Sequence, residues 1–555
     1  MTKVAKAPIP PVVGFADLLT RCADRFGDKS CFVYHRGDET KHLSYAAFAE
    51  LAFRVRDALF SAGLAGKPVA LLGDTSPEWL AVFLGTVLSG GLAVPLDRES
   101  EQEEIVGFLT RSKAEAVFYA PRFATYFEKE KDRSGLVTVM LPGADGSDAA
   151  FGAFLADRPE SEPPAVVPDP ARASVLLFTS GTTGGSKGVL LSENNLITVM
   201  NEAYQMLCFG DNEVLLSVLP PHHTYELTCG LLTPMLYGAT VCISDGLRHI
   251  SRNMKEFCPT VMVLVPSLVS RFYKNVLQIA ERNGELKKLL GAERFAYTLY
   301  RAGFDLRRRI FGKVLSAFGG KLSRIICGGA ALEPFLVERF AALGITVSQG
   351  YGLTECAPLV SVMPLGILKP DSCGKLIGSM QCYIDKKHPA DRCGEIVVKG
   401  PNVMLGYYED EKATGEVLHM GWLHTGDYGY MDDDRYLYIT GRKKNVIVLP
   451  GGRTVFPEEL EEYLGQLALI SEVAVVGRPT DDRDRISVVA LVYPDSAEVA
   501  QRGLQTSDAV HAALEEEIKK LNRRLPAYKR ITDIELRDAA FEKTTSQKIK
   551  RDRLQ

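Results

Sequence analysis

Apolar residues recur at helical spacing from Phe48 to Ala62 and from Glu78 to Leu88, with the short unbroken run Val69-Ala70-Leu71-Leu72 between them. Helices alternating with buried strands over Phe15 to Asp157 predict a βαβ sheet. The Pro-rich segment PESEPPAVVPDP, Pro159 to Pro170, reads as a stiff connector between this region and the next. A second α/β region opens on the apolar run Val175-Leu176-Leu177-Phe178 and continues with strands near Val214 to Leu219, Thr240 to Ile243, Val261 to Val265 and Arg324 to Cys327. From Gly394 the sequence GEIVVKGPNVMLGYY is rich in strand and turn signals, as expected of a small β-barrel-like unit. After Lys444 the pattern predicts helix Pro457 to Leu464, strands Glu472 to Val476 and Ser487 to Tyr493, helix Asp508 to Arg523, and a basic tail.

The expected architecture is therefore α/β. A large N-terminal domain over residues 1–443 holds two βαβ-type sheets, about 1–170 and 171–375, plus the small barrel, about 376–443. A small α+β domain spans 444–555. Two uncharged stretches, Trp79 to Leu96 and Leu227 to Ser244, have the 18-residue length at which a membrane span must be considered. Both are interrupted by turn residues, Ser89-Gly90-Gly91 and Thr233-Pro234, so each reads as a buried helix, a turn and a buried strand.

Composition bounds the function. A chain of 555 residues is too long for one core. Its 46% hydrophobic and 24% charged shares are those of a soluble globular protein, and a net charge of −4 makes no general case for nucleic acid. The start, MTKVAKAPIPPVVGF, has no sustained apolar core, so no secretory signal is expected. Eleven Cys without a CxxC pair or a Cys/His cluster at metal spacing read as reduced thiols of a cytoplasmic protein. His222-His223 reads by default as a buried, hydrogen-bonded pair. One region departs from the average: Arg271 to Arg324 carries thirteen Lys or Arg against four acids, including Arg307-Arg308-Arg309. It is either a solvated helical face or a surface for an anionic membrane or a phosphorylated cofactor, which would place the protein peripherally at the inner face of a membrane.

The strongest chemical signal lies between Phe178 and the strand-like run Val189-Leu190-Leu191. The segment TSGTTGGSKGV has four Gly and five Ser or Thr in eleven residues, around Lys187. Such a loop suits a phosphate cradle, because Gly lets backbone N–H groups approach an anion, hydroxyls add donors and Lys adds a charge. It is not a Walker A loop, which needs Gly-Lys-Ser/Thr running into a helix. By itself it could equally be a flexible linker or a hairpin.

Further landmarks occur in order: LPPHHTYE from Leu219, CGGAAL from Cys327, QGYGLTE from Gln349, GWLHTGD from Gly421, GRKKNVI from Gly441 and KTTSQKIKR from Lys543. Together with the Gly/Ser/Thr loop, and from the PEWLAVFLG stretch near Pro77 to the terminal Lys-Ile-Lys-Arg, the chain resembles the adenylate-forming superfamily of acyl-CoA synthetases, luciferases and peptide-synthetase adenylation domains. That resemblance implies an ATP-dependent ligase. A carboxylate attacks the α-phosphate of ATP, pyrophosphate leaves, and a thiol displaces AMP, so two anions must meet beside cations and hydrogen-bond donors.

The resemblance also implies roles. Thr179, Ser180, Gly181, Thr182, Thr183, Gly184 and Lys187 wrap the β- and γ-phosphates. Thr354 contacts the α-phosphate, and Glu355 holds Mg²⁺ through its carboxylate. Gly329, Ala330 and Ala331 line one adenine face, while Gly350, Tyr351 and Gly352 lie near the other. Asp427 accepts from both ribose hydroxyls and Arg442 donates to the ribose. The implied catalytic set is Lys548, Thr182, Glu355 and His223, with Lys548 a mobile cation between carboxylate and α-phosphate. Lys444 is the hinge about which the small domain turns, and Gly452 flanks the pantetheine channel.

Ser186 stands where Pro is usual, Gln547 where Gly is frequent, and Val448 where many members carry Lys. LPPHHTYE, IVLPGGR, TSQKIKR and the basic helical insertion look like the long-chain fatty acyl branch, in which His223 lines the acyl pocket. The expected activity is a fatty acid:CoA ligase for medium- to long-chain acids; no residue excludes aryl acids. The alternatives are a ligase that loads an acyl carrier protein, which the basic surface permits, and a non-catalytic nucleotide- or acyl-binding regulator.

Overall fold

The computed structural model describes residues 9–128, 135–143, 147–157, 159, 163–179, 186–449, 454–479, 486–543 and 549–554. Its first sheet has seven strands in the order Gly406–Tyr407, Lys187–Ser192, Ala173–Thr179, Leu92–Leu96, Pro68–Leu72, Ala116–Tyr119, Val137–Met140. The central strands run parallel, and the strand Ala173–Thr179 turns back antiparallel into Lys187–Ser192. Strands such as Pro68–Leu72 and Ala116–Tyr119 are apolar without alternation because both faces of a parallel sheet are covered. One cover is helix Pro77–Leu88, all of whose residues are buried; Pro77 at its first turn and the Ser76 hydroxyl accepting from Trp79 N–H at 3.1 Å start it.

The second sheet has nine strands, ordered Lys375–Leu376, Leu359–Val362, Thr346–Gly352, Arg324–Cys327, Val261–Leu264, Val214–Ser217, Thr240–Ile243, Ser30–Arg36 and Glu39–Ser44. The run from Thr240–Ile243 to Thr346–Gly352 is parallel, so these strands deliver their C-terminal ends to one edge. Helices Pro266–Arg282, Leu286–Arg301, Arg307–Ile310 and Gly312–Ser316 are inserted between Val261–Leu264 and Arg324–Cys327. Both 18-residue apolar stretches resolve as the pattern predicts. Trp79 to Leu96 is most of helix Pro77–Leu88, a turn and strand Leu92–Leu96; Leu227 to Ser244 passes through a π-helical run Tyr225–Leu232, helix Thr233–Leu236 and strand Thr240–Ile243. Among the described residues no helix is long and apolar enough to cross a membrane.

The chain divides into two units. One comprises the chain up to Gln381 together with Lys399–Leu423, and the other comprises Cys382–Val398 and the chain from His424 on. Strands Gly394–Lys399, Trp422–Met431 and Leu437–Arg442, most of whose residues belong to the second unit, are part of a small five-stranded sheet. The segment from Ile447 has its own core of Val455, Leu460, Leu464, Val475, Ala490, Val492 and Leu514. There Ile486–Pro494 pairs antiparallel with Ile470–Pro479 and parallel with Asp533–Leu536.

Candidate active site

Three of the motifs meet at the C-terminal edge of the nine-stranded sheet, where open α/β sheets hold their ligands. Strand Arg324–Cys327 ends in the loop carrying Gly329, Ala330 and Ala331, all exposed. Its parallel neighbour Thr346–Gly352 ends in Gly350, Tyr351 and Gly352, and Cys327 is paired with Gln349 just before them. Gly352 has a steric reason: a Cβ there would stand 1.7 Å from the Pro358 carbonyl oxygen. The third motif contributes Tyr225, whose hydroxyl donates to Ile326 O at 3.0 Å and lies 3.3 Å from Leu264 O, pinning the π-helical run across the ends of both strands. Irregular helix of this kind is common beside functional sites.

Thr354 and Glu355 open a short 3₁₀ turn, Thr354–Cys356. Buried Asn402 donates to Cys356 O at 2.9 Å and Leu359 O at 2.7 Å, and Met404 N–H donates to Glu355 O at 2.8 Å, so the turn is held by the segment after Pro401. That segment is fixed in turn by Asn195, which donates to Pro401 O and Val403 O. The segment then forms strand Gly406–Tyr407, added antiparallel to the edge strand Lys187–Ser192 with Tyr407 opposite Val189. The Tyr407 hydroxyl donates to Glu355 Oε1 at 2.9 Å, and Lys187 Nζ lies 4.6 Å from the same ring's centroid. Burial first, then the charge of Glu355, pushes the Tyr407 hydroxyl up, so it remains a protonated donor. One aromatic ring thus joins the cation at the loop's end to the implied metal carboxylate. Glu355 is a hard oxygen donor on a rigid turn next to a cationic loop end, which suits Mg²⁺, an ion taken by one or two carboxylates together with phosphate oxygens.

The Gly/Ser/Thr loop is framed rather than displayed. Thr179 Oγ donates to Lys187 O at 3.3 Å across the strand pair, and Arg111 donates to Ser186 O at 2.8 Å while its guanidinium lies 4.9 Å from the Phe178 ring centroid. Ser180, Gly181, Thr182, Thr183 and Gly184 lie outside the described residues, as do Gly452 and Lys548. The two flanks of Lys548 are anchored: Lys543 pairs with Ile549 in an antiparallel bridge, Lys543 Nζ lies 2.6 Å from Glu472, and Arg551 lies 2.5 Å from Glu461.

In the second unit Asp427 and Arg442 are direct cross-strand partners, with Arg442 Nε 2.9 Å from Asp427 Oδ1. Asp427 is only 4% exposed, whereas Arg442 is exposed. Near them buried Glu395 receives Lys443 Nζ at 2.7 Å, His424 Nδ1 at 3.3 Å and Gly426 N–H at 3.1 Å. Burial raises the Glu395 carboxyl, and these donors outweigh it and hold it below its usual range. Lys444 lies in the 3₁₀ turn Lys443–Asn445 that precedes the Ile447 core, and Val448 is exposed.

The His222 and His223 rings lie 4.2 Å apart between centroids and are tilted by 52° to one another, on the turn entering the π-helical run. Burial, then His223 and Arg98, keep His222 well below its usual range, so it is neutral. Four residues without an assigned role in the sequence prove central. Tyr407 lies inside GEIVVKGPNVMLGYY and Tyr225 inside LPPHHTYE, but only chain pairing shows what they touch. Asn402 carried no signal beyond polarity. Glu226 is fully buried with Ser217 Oγ donating to it at 2.5 Å, and burial pushes its carboxyl up to about 8.

The model of the family described as AMP-binding enzyme matches residues 19–408, and that of the AMP-binding enzyme C-terminal domain matches residues 459–548. A long-chain-fatty-acid–CoA ligase, FadD15 of Mycobacterium bovis, is 30% identical over 83% of this chain and 80% of its own. An indoleacetate–CoA ligase of Aromatoleum aromaticum is also 30% identical, over 82% of this chain and 84% of its own. In fold the chain is similar to the anthranilate CoA ligase AuaEII, solved with anthranoyl-AMP, at a TM-score of 0.79 with 21% identity, covering 98% of this chain and 97% of that one.

Proposed function

The chain belongs to the AMP-binding enzyme family and, with CoA ligases as its relatives, is an acid–thiol ligase, and on that premise we propose that it is an ATP- and Mg²⁺-dependent fatty acid:CoA ligase for medium- to long-chain acids. The observation that carries this reading is the joining of Lys187 and Glu355 through Tyr407 beside the adenine-type loops of Gly329 and Gly350. Lys187 and the loop it ends bind the departing pyrophosphate, Thr354 contacts the α-phosphate, and Glu355 would hold Mg²⁺ through its carboxylate. Asp427 and Arg442 take the ribose. Lys548, on its anchored flanks, neutralises the charge that builds as carboxylate meets phosphate. Lys444 is the hinge that withdraws Lys548 before CoA attacks, and Gly452 borders the thiol's approach. The acyl chain is received beside His223, whose neighbour His222 is neutral, next to the apolar π-helical run.

A second reading, an aryl acid in the same pocket, is favoured by the equal identity to the indoleacetate ligase. Purified chain with ATP, Mg²⁺ and CoA, offered short, medium, long and aromatic acids, distinguishes the two by pyrophosphate release. A maximum at long aliphatic acids supports the first reading and a maximum at aryl acids the second. Release at background with every acid overturns both. Competition between CoA and a holo acyl carrier protein identifies the thiol. Lys548→Ala removes adenylate formation; a variant that adenylates at the parent rate sinks the role given to Lys548.

A further inference from the structure

The thirteen cations of Arg271 to Arg324 divide sharply once folded. Arg307 donates to Ala341 O at 2.6 Å and lies over the Tyr300 ring, Arg308 donates to Leu322 O and Gly320 O, and Arg324 lies 3.4 Å from Glu213. These three hold the fold together. Helix Leu286–Arg301 is different. Its single carboxylate, Glu293, is turned inward and 1% exposed, 2.9 Å from Arg339 and 3.2 Å from the Tyr273 hydroxyl. The helix therefore shows water Lys287, Lys288, Arg294 and Arg301 and no acid of its own. Of the acids at its two ends, Glu285 lies 3.9 Å from Lys288 and Asp305 is taken by Arg307 at 2.7 Å.

Large apolar side chains lie among these charges. Phe295 on the same helix is 61% exposed, and Phe304, just past its end, is 66% exposed, with Leu306 and Ile310 also exposed. Phe304 is not on a loose tail. Gly303, at φ +94°, closes the helix by donating to Tyr300 O at 3.0 Å, Phe304 N–H donates to Leu299 O at 2.9 Å, and Arg307 fastens the next turn to helix Pro334–Leu343. The backbone is held while the ring projects into water, an arrangement that costs hydration free energy unless something covers it.

We propose that this face, Lys287, Arg294, Arg301, Phe295 and Phe304, docks on an anionic lipid bilayer. Among the described residues Lys287, Arg294 and Arg301 have no acid within ion-pair distance, and such cations are drawn to anionic headgroups, while rigidly presented aromatic rings insert at the level where headgroup meets acyl chain. An acidic protein surface would complement the charges alike. It would leave Phe304 and Phe295 without the apolar medium that a bilayer supplies, and this favours the lipid.

The test uses the full chain with vesicles of phosphatidylcholine alone or with phosphatidylglycerol added. Sedimentation with the anionic vesicles is expected, weakening as salt is raised, and Arg294→Ser with Arg301→Ser should cut partitioning by about fivefold per cation removed. Phe304→Trp should report insertion through a blue-shifted emission quenched by brominated acyl chains. Both variants lie on the surface and should keep the parent's circular dichroism and melting temperature. Equal binding to neutral and anionic vesicles overturns the proposal, as does an emission of the Phe304→Trp variant that anionic vesicles leave unmoved. Capture of an acidic carrier protein that depends on Arg294 and Arg301, with vesicles ignored, replaces the bilayer by a protein partner.

Discussion

The Tyr407 hydroxyl donates to Glu355 Oε1 at 2.9 Å, and through this bond the edge of the seven-stranded sheet reaches the ligand-facing end of the nine-stranded one. Glu355 lies on a two-residue step after a strand; without the bond its carboxylate could rotate away from the loop that Lys187 ends. The phenol therefore sets where the carboxylate points.

Tyr407→Phe keeps the ring under Lys187 and removes only the donor. A hydrogen bond to a charged group contributes about 1.5–3 kcal/mol, so adenylation should slow by about tenfold or more, with a higher Mg²⁺ requirement. Pyrophosphate release measured against Mg²⁺ checks this. A variant with unchanged rate and unchanged Mg²⁺ dependence would show that Glu355 is held by something else.

Asp427→Ala leaves Arg442 without its partner at 2.9 Å and removes a buried acceptor. The KM for ATP should rise at least about tenfold, as expected for charge-assisted hydrogen bonds, while the melting temperature moves little because Arg442 is exposed. AMP binding by calorimetry gives an independent reading; retained affinity would remove the ribose role.

Glu226 carries a pH signature. Its folded value of about 8 lies above that of an unfolded glutamate, about 4.3, so between these limits the folded chain keeps a proton that the unfolded chain has lost. The neutral carboxyl's contribution is complete below the lower limit and is lost as pH rises towards 8. Glu226→Gln cannot lose it. Its melting temperature relative to the parent should therefore climb from pH 5 to pH 8 and then level off. Parallel curves would show that Glu226 does not titrate in this window.

Arg551→Ala leaves partly buried Glu461 without its cation, at a cost of about 1–2 kcal/mol once solvent screening is allowed for. It also frees one flank of the segment holding Lys548. Adenylation should fall several-fold while AMP affinity is kept. Loss of both together would mean that the whole unit had come apart.

What the linear chain determined was whatever is set locally. Unbroken apolar runs such as Thr240–Ile243 and Val261–Leu264 are strands, and Pro457–Leu464 is a helix, at the positions expected, because burial on both faces or a periodic apolar stripe allows little else. The order of the motifs pointed to the family, since each is a short string of backbone and polar demands. The tertiary structure alone decided which of these residues touch. Lys187, Tyr407 and Glu355 meet because a two-residue strand from far along the chain completes a sheet edge, and no periodicity encodes that pairing. It also split the basic run, tying Arg307 and Arg308 to backbone carbonyls, turning Glu293 inward and leaving Arg294, Arg301 and Phe304 outside. Charge counted along a sequence cannot show this, because which face of a helix is buried depends on what packs against it.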